Sequence, residues 1–206
     1  MVKHKRKKKE AELETWQKVG IAFLAVVFSG FFGWVYEFIF YFFDGGMKEW
    51  YMQGGNLLPW INIYAIGAVL IIGATYKIRK HPWAVFLSSI VISGITEFLG
   101  GWLVYVIGDG TRYWDYNIEI LNFGNIGGFI CLRSVLFFGI SALFLVYIMM
   151  PLFTRMAEKM SKRAFFTLAI TLFTLVILDE VVNLTLKNMD LPTAVDFYKS
   201  LGFKYK

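Results

Sequence analysis

Five charged side chains stand inside stretches that are otherwise apolar: Glu37, Glu97, Arg133, and the adjacent pair Asp179 and Glu180. A charge in hydrocarbon is costly, so such residues mark ion or substrate paths, proton relays or buried pairs. Four are acidic and one is basic. Gly30 and Gly33 precede Glu37 at helical spacing, and Ser93, Gly100 and Gly101 flank Glu97 on one helix side. Small residues beside a carboxylate let a neighbouring helix approach and keep lipid away from the charge. Two chemistries fit this pattern. One is a polar cavity for a substrate or ion, in which Arg133 neutralises one or two of the acids. The other is a fixed Arg133–Glu37 pair that only specifies helix packing.

The elements that must carry these residues follow from composition and hydropathy. The 206-residue chain is 57% hydrophobic and 17% charged, against about 45–50% and 25% in soluble domains. Five apolar stretches are long enough to cross a hydrocarbon core of ~30 Å at 1.5 Å per residue: Val19–Phe43, Leu57–Tyr76, Trp83–Ile107, Gly127–Met150 and Ala164–Leu186. Backbone groups in lipid must be satisfied within the segment, so each stretch is read as a helix. The expected fold is therefore all-α, an integral membrane bundle of about five transmembrane helices. On these spans Glu37, Glu97, Arg133 and Asp179 share one half of the bilayer.

Orientation comes from the basic residues. Lys3, Lys5, Arg6, Lys7, Lys8 and Lys9 precede the first span, and Lys77, Arg79 and Lys80 lie in the second connection. Arg155, Lys159, Lys162 and Arg163 lie in the fourth, whereas Asp44–Asn56 holds only Lys48 and Gly108–Ile126 only Arg112. Cytoplasmic loops are the basic ones, which predicts a multi-pass cell-membrane protein with residues 1–18 as a cytoplasmic tail. Residues 19–186 form the helical domain, and residues 187–206 a tail on the extracytoplasmic side. The charged sites would then lie in the outer half of the membrane. The basic run lacks the interleaved aromatics of a nucleic-acid platform, so the bilayer and not a nucleic acid is the expected partner.

Other chemistry is thinly represented. One cysteine, Cys131, and two histidines predict neither a disulfide nor a metal site. There is no G-x-x-x-x-G-K-[ST] phosphate loop, G-x-S-x-G or H-E-x-x-H, so no catalytic residue and no cofactor is expected. The aromatic run Tyr113, Trp114, Tyr116 around Arg112 and Asp115 fits an interfacial belt, or a lid or re-entrant segment over the cavity. Ser29-Gly30 returns as Ser93-Gly94 and Asp44-Gly45 as Asp109-Gly110, a spacing that allows a duplicated helix hairpin.

An ordered set of motifs completes the reading. Gly33-Trp-Val-Tyr-Glu37, Leu58-Pro-Trp-Ile-Asn-Ile-Tyr64, Glu97, Trp114-Asp-Tyr116 and Asn125-Ile-Gly-Gly-Phe-Ile-Cys-Leu132 resemble the ABC-transporter type IV permease family over residues 28–150. The sequence departs from that pattern at Asn62, Ala65, Tyr105 and Phe129. Trp34, Glu37, Glu97, Trp114, Asp115 and Tyr116 are the matching motif positions. The resemblance implies a transport component driven by a separate ATP-binding subunit and working as an oligomer or hetero-complex. The residues alone leave two other classes open: a non-transporting binding or scaffold protein, and an intramembrane enzyme.

Overall fold

The structure, a computed structural model, describes residues 13–205. The basic run Lys3 to Lys9 lies outside the described residues. The chain is an all-α bundle of six helices, with only two two-residue strands among the described residues. Helix α1 (Thr15–Asp44), α3 (Pro82–Ile107), α4 (Leu132–Lys159) and α5 (Lys162–Asn188) are each long and apolar enough to cross a membrane. Helix α2 (Asn62–Thr75) is shorter, and α6 (Ala194–Ser200) follows the last long helix. Five consecutive passes put the connections 76–81 and 160–161 at one end of the bundle. The connections 45–61 and 108–131 lie at the other, with the C-terminal segment. The first is here called the basic end and the second the loop end.

Two spans depart most from the expected ones, each for a local reason. The span expected over Leu57–Tyr76 holds a helix only from Asn62, and at 1.5 Å per residue its 14 residues reach only ~21 Å. Pro59 offers no N–H and drives Leu58 towards extended backbone, so the helix cannot reach back through Leu57 and Leu58, and the chain stays extended as far as Ile61. The remaining depth is filled by the irregular segment 53–61, which enters the bundle as far as the middle of α1. There the Ile61 N–H donates to the Gly30 carbonyl at 3.1 Å.

The fourth span, expected over Gly127–Met150, instead runs Leu132–Lys159. Gly127 and Gly128, at φ 61° and 80°, belong to a turn and not to the helix. The extension at the other end passes through Pro151. A proline ring strains the turn before it and removes a donor, and here the helix widens into a π turn over Leu145–Met149. The Met150 N–H accordingly reaches the Leu145 carbonyl. The residues expected as the loop Pro151–Arg163 are thus mostly helix. Ser161 starts α5 by accepting the Ala164 N–H at 3.3 Å.

Helix α1 is the axis of the bundle, packed against α2, α5 and the lower half of α4, while α3 packs on α2 and α4. At the basic end the core is apolar, built on Leu24, Ala25, Met149, Phe153, Phe165 and Ala169. Towards the loop end it turns polar. The C-terminal segment folds back there: strand β2 (Lys204–Tyr205) pairs in parallel with β1 (Tyr51–Met52), and the Tyr198 hydroxyl donates to the Leu57 carbonyl at 2.6 Å. Thr193 opens α6, and the carboxylate of Asp196 accepts its N–H at 2.8 Å and its hydroxyl at 2.9 Å. These bonds to the charged form hold the Asp196 pKa below its usual value.

Close approach is the reason for two glycines on α1. A Cβ at Gly30 would collide with the Trp60 indole, and one at Gly33 with the Tyr64 ring. Replacing Gly33 with leucine should therefore destabilise the detergent-solubilised protein by about 1–3 kcal/mol, as overpacking does. Gly73 faces open space within α2, so Gly73→Ala should not lower the melting temperature and should raise it slightly, since alanine favours the helix. Equal melting of the Gly33→Leu and unaltered proteins would contradict the packing described.

Candidate functional site

Two stretches of non-helical chain enter the bundle from the loop end, and the charged residues arrange themselves around them. The first is segment 53–61. Non-helical backbone at membrane depth must find its partners within the protein. Asp179 accepts the Leu57 N–H at 3.1 Å and the Leu58 N–H at 2.6 Å. The Asn183 amide, which also donates to Asp179 at 2.8 Å, steadies it. Glu180 accepts from the side chains of Asn56 (2.7 Å) and Asn62 (3.1 Å). The Trp34 indole N–H donates to the Gln53 carbonyl at 3.1 Å.

The second stretch is 113–119, inside the long connection between α3 and α4. Tyr116 is buried, and its hydroxyl donates to Glu97 just past the middle of α3, at 2.6 Å. The other oxygen of Glu97 lies 2.8 Å from the Ser134 hydroxyl on α4. The Trp114 indole N–H donates to the Phe129 carbonyl at 2.9 Å, and its ring lies against Gly101. Asp115 shapes the turn: it accepts from the Asn117 backbone (3.0 Å) and amide (2.6 Å) and stands 3.8 Å from Arg112.

Arg133 is in the first turn of α4, the positive end of the helix dipole, where a cation needs a counter-charge. It was expected to meet Glu37 or Glu97. Its partner is instead Glu119, from the connection, with Nη2 2.5 Å from the carboxylate. The Tyr41 hydroxyl donates to the other Glu119 oxygen at 2.7 Å. The Arg133 guanidinium lies 3.8 Å from the Phe40 ring centre and 5.3 Å from that of Tyr116. Both side chains of the ion pair are largely buried, 13% and 4% exposed, so it is an internal pair and not a surface one.

These groups surround one cavity of ≈ 660 Å³ at the loop end of the bundle. Of the residues singled out from sequence, Glu37, Glu97, Arg133, Glu180, Trp114 and Tyr116 line it. Asp179, Trp34 and Asp115 do not; they hold the two entering segments in place. Glu37 is half-buried beside the Tyr64 hydroxyl. Glu119, Tyr41 and Ser134 were missed. Glu119 lies in a connection where an acid reads as solvated, and Tyr41 and Ser134 read as ordinary aromatic and small residues of a span. A hint was present in Ile118-Glu119-Ile120, an acid between two large apolar residues. The C-terminal segment also lines the cavity, through Thr193, Val195 and Tyr205.

Most of the chain matches one known family. Residues 24–184 match the family described as "Putative ABC-transporter type IV". The chain belongs to it. The match extends past the recognised motifs and takes in nearly all of α5, including the segment-holding acids Asp179 and Glu180. No curated protein and no solved structure matches the chain. Membership in this transporter family and four membrane-length apolar helices fit a membrane transport component.

The internal ion pair sets a double-mutant test. Arg133→Leu strands a buried Glu119 and should cost about 3–5 kcal/mol. Arg133→Leu with Glu119→Leu removes both charges and should melt above the single variant. If the double variant is the less stable of the two, the pair described here is wrong.

Proposed function

We propose that this chain is the membrane-embedded component of an ABC-type transport system, with the loop-end cavity as its ligand site. Its membership in the transporter family carries the reading. In this reading the basic end faces the cytoplasm, since Lys77, Arg79, Lys80, Arg155, Lys159, Lys162 and Arg163 all gather there. The cavity then opens towards the outside and lies in the outer half of the membrane. The chain has no phosphate loop, so the energy comes from a separate ATP-binding subunit. The protein works as part of a hetero-complex, and the chain itself is no enzyme.

A docking place for such a subunit is available in the last two turns of α4. Helix α4 carries Arg155 and Lys159 to the basic end, and the helix is stiffened there by Phe153 and Ala157 packed into the apolar core. A packed helix end transmits motion better than an irregular connection would. Purification from native membranes in mild detergent should recover an ATP-hydrolysing subunit. Arg155→Glu with Lys159→Glu should abolish its recovery and leave thermal stability unchanged. Recovery of other membrane proteins without any ATPase would favour the scaffold reading instead. Reporters placed within 78–81 should give cytoplasmic signals and those within 46–55 or 109–122 external ones.

A further inference from the structure

We propose that the cavity takes an organic cation, an amine or ammonium group carrying an apolar body. The inference deepens the proposed transport function and rests on its reading of the cavity as a ligand site. The walls supply the first argument. Tyr36, Tyr64, Trp60, Tyr116, Phe137 and Phe138 surround a volume within the ~300–1,000 Å³ usual for small-molecule sites. Aromatic rings attract a cation through their quadrupole, and more strongly where water is displaced. An apolar body gains from the same walls.

Charge accessibility supplies the second argument. The two arginines of the lining are already engaged. Arg133 is paired with Glu119, and its Nε and Nη1 are buried without a hydrogen-bond partner beside the Phe40 and Tyr116 rings. Arg112 stands by Asp115, donates to the Gly127 carbonyl at 2.9 Å, and lies over the Tyr105 and Phe129 rings. Lys187, the third basic residue of the lining, forms no ion pair among the described residues, but it stands in the last, exposed turn of α5 over Tyr113 and not deep in the cavity. No cationic group is thus open to an anion deep in the cavity.

The acids differ. Among the described residues, Glu37, Glu97 and Glu180 form no ion pair, although all three line the cavity. Glu97 is 5% exposed and already bonded to two hydroxyls, so it has little left to offer. Glu37 and Glu180 are both half-buried, and they approach the cavity from different helices. Glu180 is steadied by two amides, whereas Glu37 has the Tyr64 hydroxyl as its hydrogen-bond partner, with Arg133, Glu97 and Glu119 within electrostatic reach. Glu37 is therefore the group that meets the cation, with Tyr64 orienting it.

Calorimetric titration of the purified chain in neutral detergent tests this with two probes of similar shape, benzyltrimethylammonium and benzenesulfonate. The cation should bind and the sulfonate should not, a comparison that requires no variant. Glu37→Gln should weaken cation binding by at least about tenfold while keeping the melting temperature. Sulfonate binding as well as or better than the cation overturns the proposal. So does binding of neither probe, or unchanged cation binding by a folded Glu37→Gln protein. Loss of the ATP-binding partner would sink the transport reading and leave this titration standing. A chain that recruits the subunit yet ignores the cation would do the reverse.

Discussion

Backbone N–H and C=O groups in hydrocarbon have no water to fall back on, and the loop end of this bundle is organised by that constraint. Two stretches of non-helical chain enter the helices there, and each brings unsatisfied groups with it. Asp179 answers the first by taking two successive N–H groups from Leu57 and Leu58. Its acidity has a local purpose: an ionised carboxylate offers several acceptor sites on two oxygens, which no neutral side chain of its size matches. In the second, the Tyr116 N–H donates to the Gly128 carbonyl at 3.1 Å, while Glu97 anchors the segment by accepting the Tyr116 hydroxyl. The cavity is the space left between two segments so held, and its shape depends on those bonds.

Arg133 and Glu119 fit the same logic. The helix-start position of Arg133 is electrostatically unfavourable, and the connection that supplies Glu119 is pinned on its other side where Asp44 accepts the Ile120 N–H at 2.8 Å. One ion pair therefore ties the end of α1, the start of α4 and the intervening connection together. Removing one member would free a charge and the connection along with it.

The helices and their order were legible because lipid imposes a long apolar run on each crossing. Their ends were less so. Pro59 shortened α2 and Pro151 failed to stop α4, and the difference lies in context. Pro59 meets a glycine-rich, polar-flanked stretch, whereas Pro151 follows a turn that widened to accept it. At the site, Glu37, Glu97, Arg133 and Glu180 were visible as charges in apolar surroundings. The partner of Arg133 was not, because Glu119 becomes buried only when its connection folds inward. Asp179 was visible as a charge, but its task is set by a proline-broken segment 121 residues away in sequence. The bridging of β1 and β2 over the mouth was invisible, since two residues of strand carry no periodicity.

The π turn in α4 has a consequence for the winding of the whole molecule. Above it, Ser134, Phe138 and Ala142 face inward, and below it Met149, Phe153 and Ala157 do the same, all at intervals of four. In a regular helix of 3.6 residues per turn, a stripe spaced by four drifts ~40° with each step. Over such a length it would wander off the core. The wide turn winds the stripe back, so both halves of α4 present their inner faces. Deleting a single residue from Leu145–Met149 would restore regular winding and leave both inner faces in phase, whereas tightening the turn to regular helix with all five residues kept would swing everything below by ~100°, with the apolar knobs of one half turned out into lipid. The helix thus keeps two reading frames, and the five residues between them act as its splice.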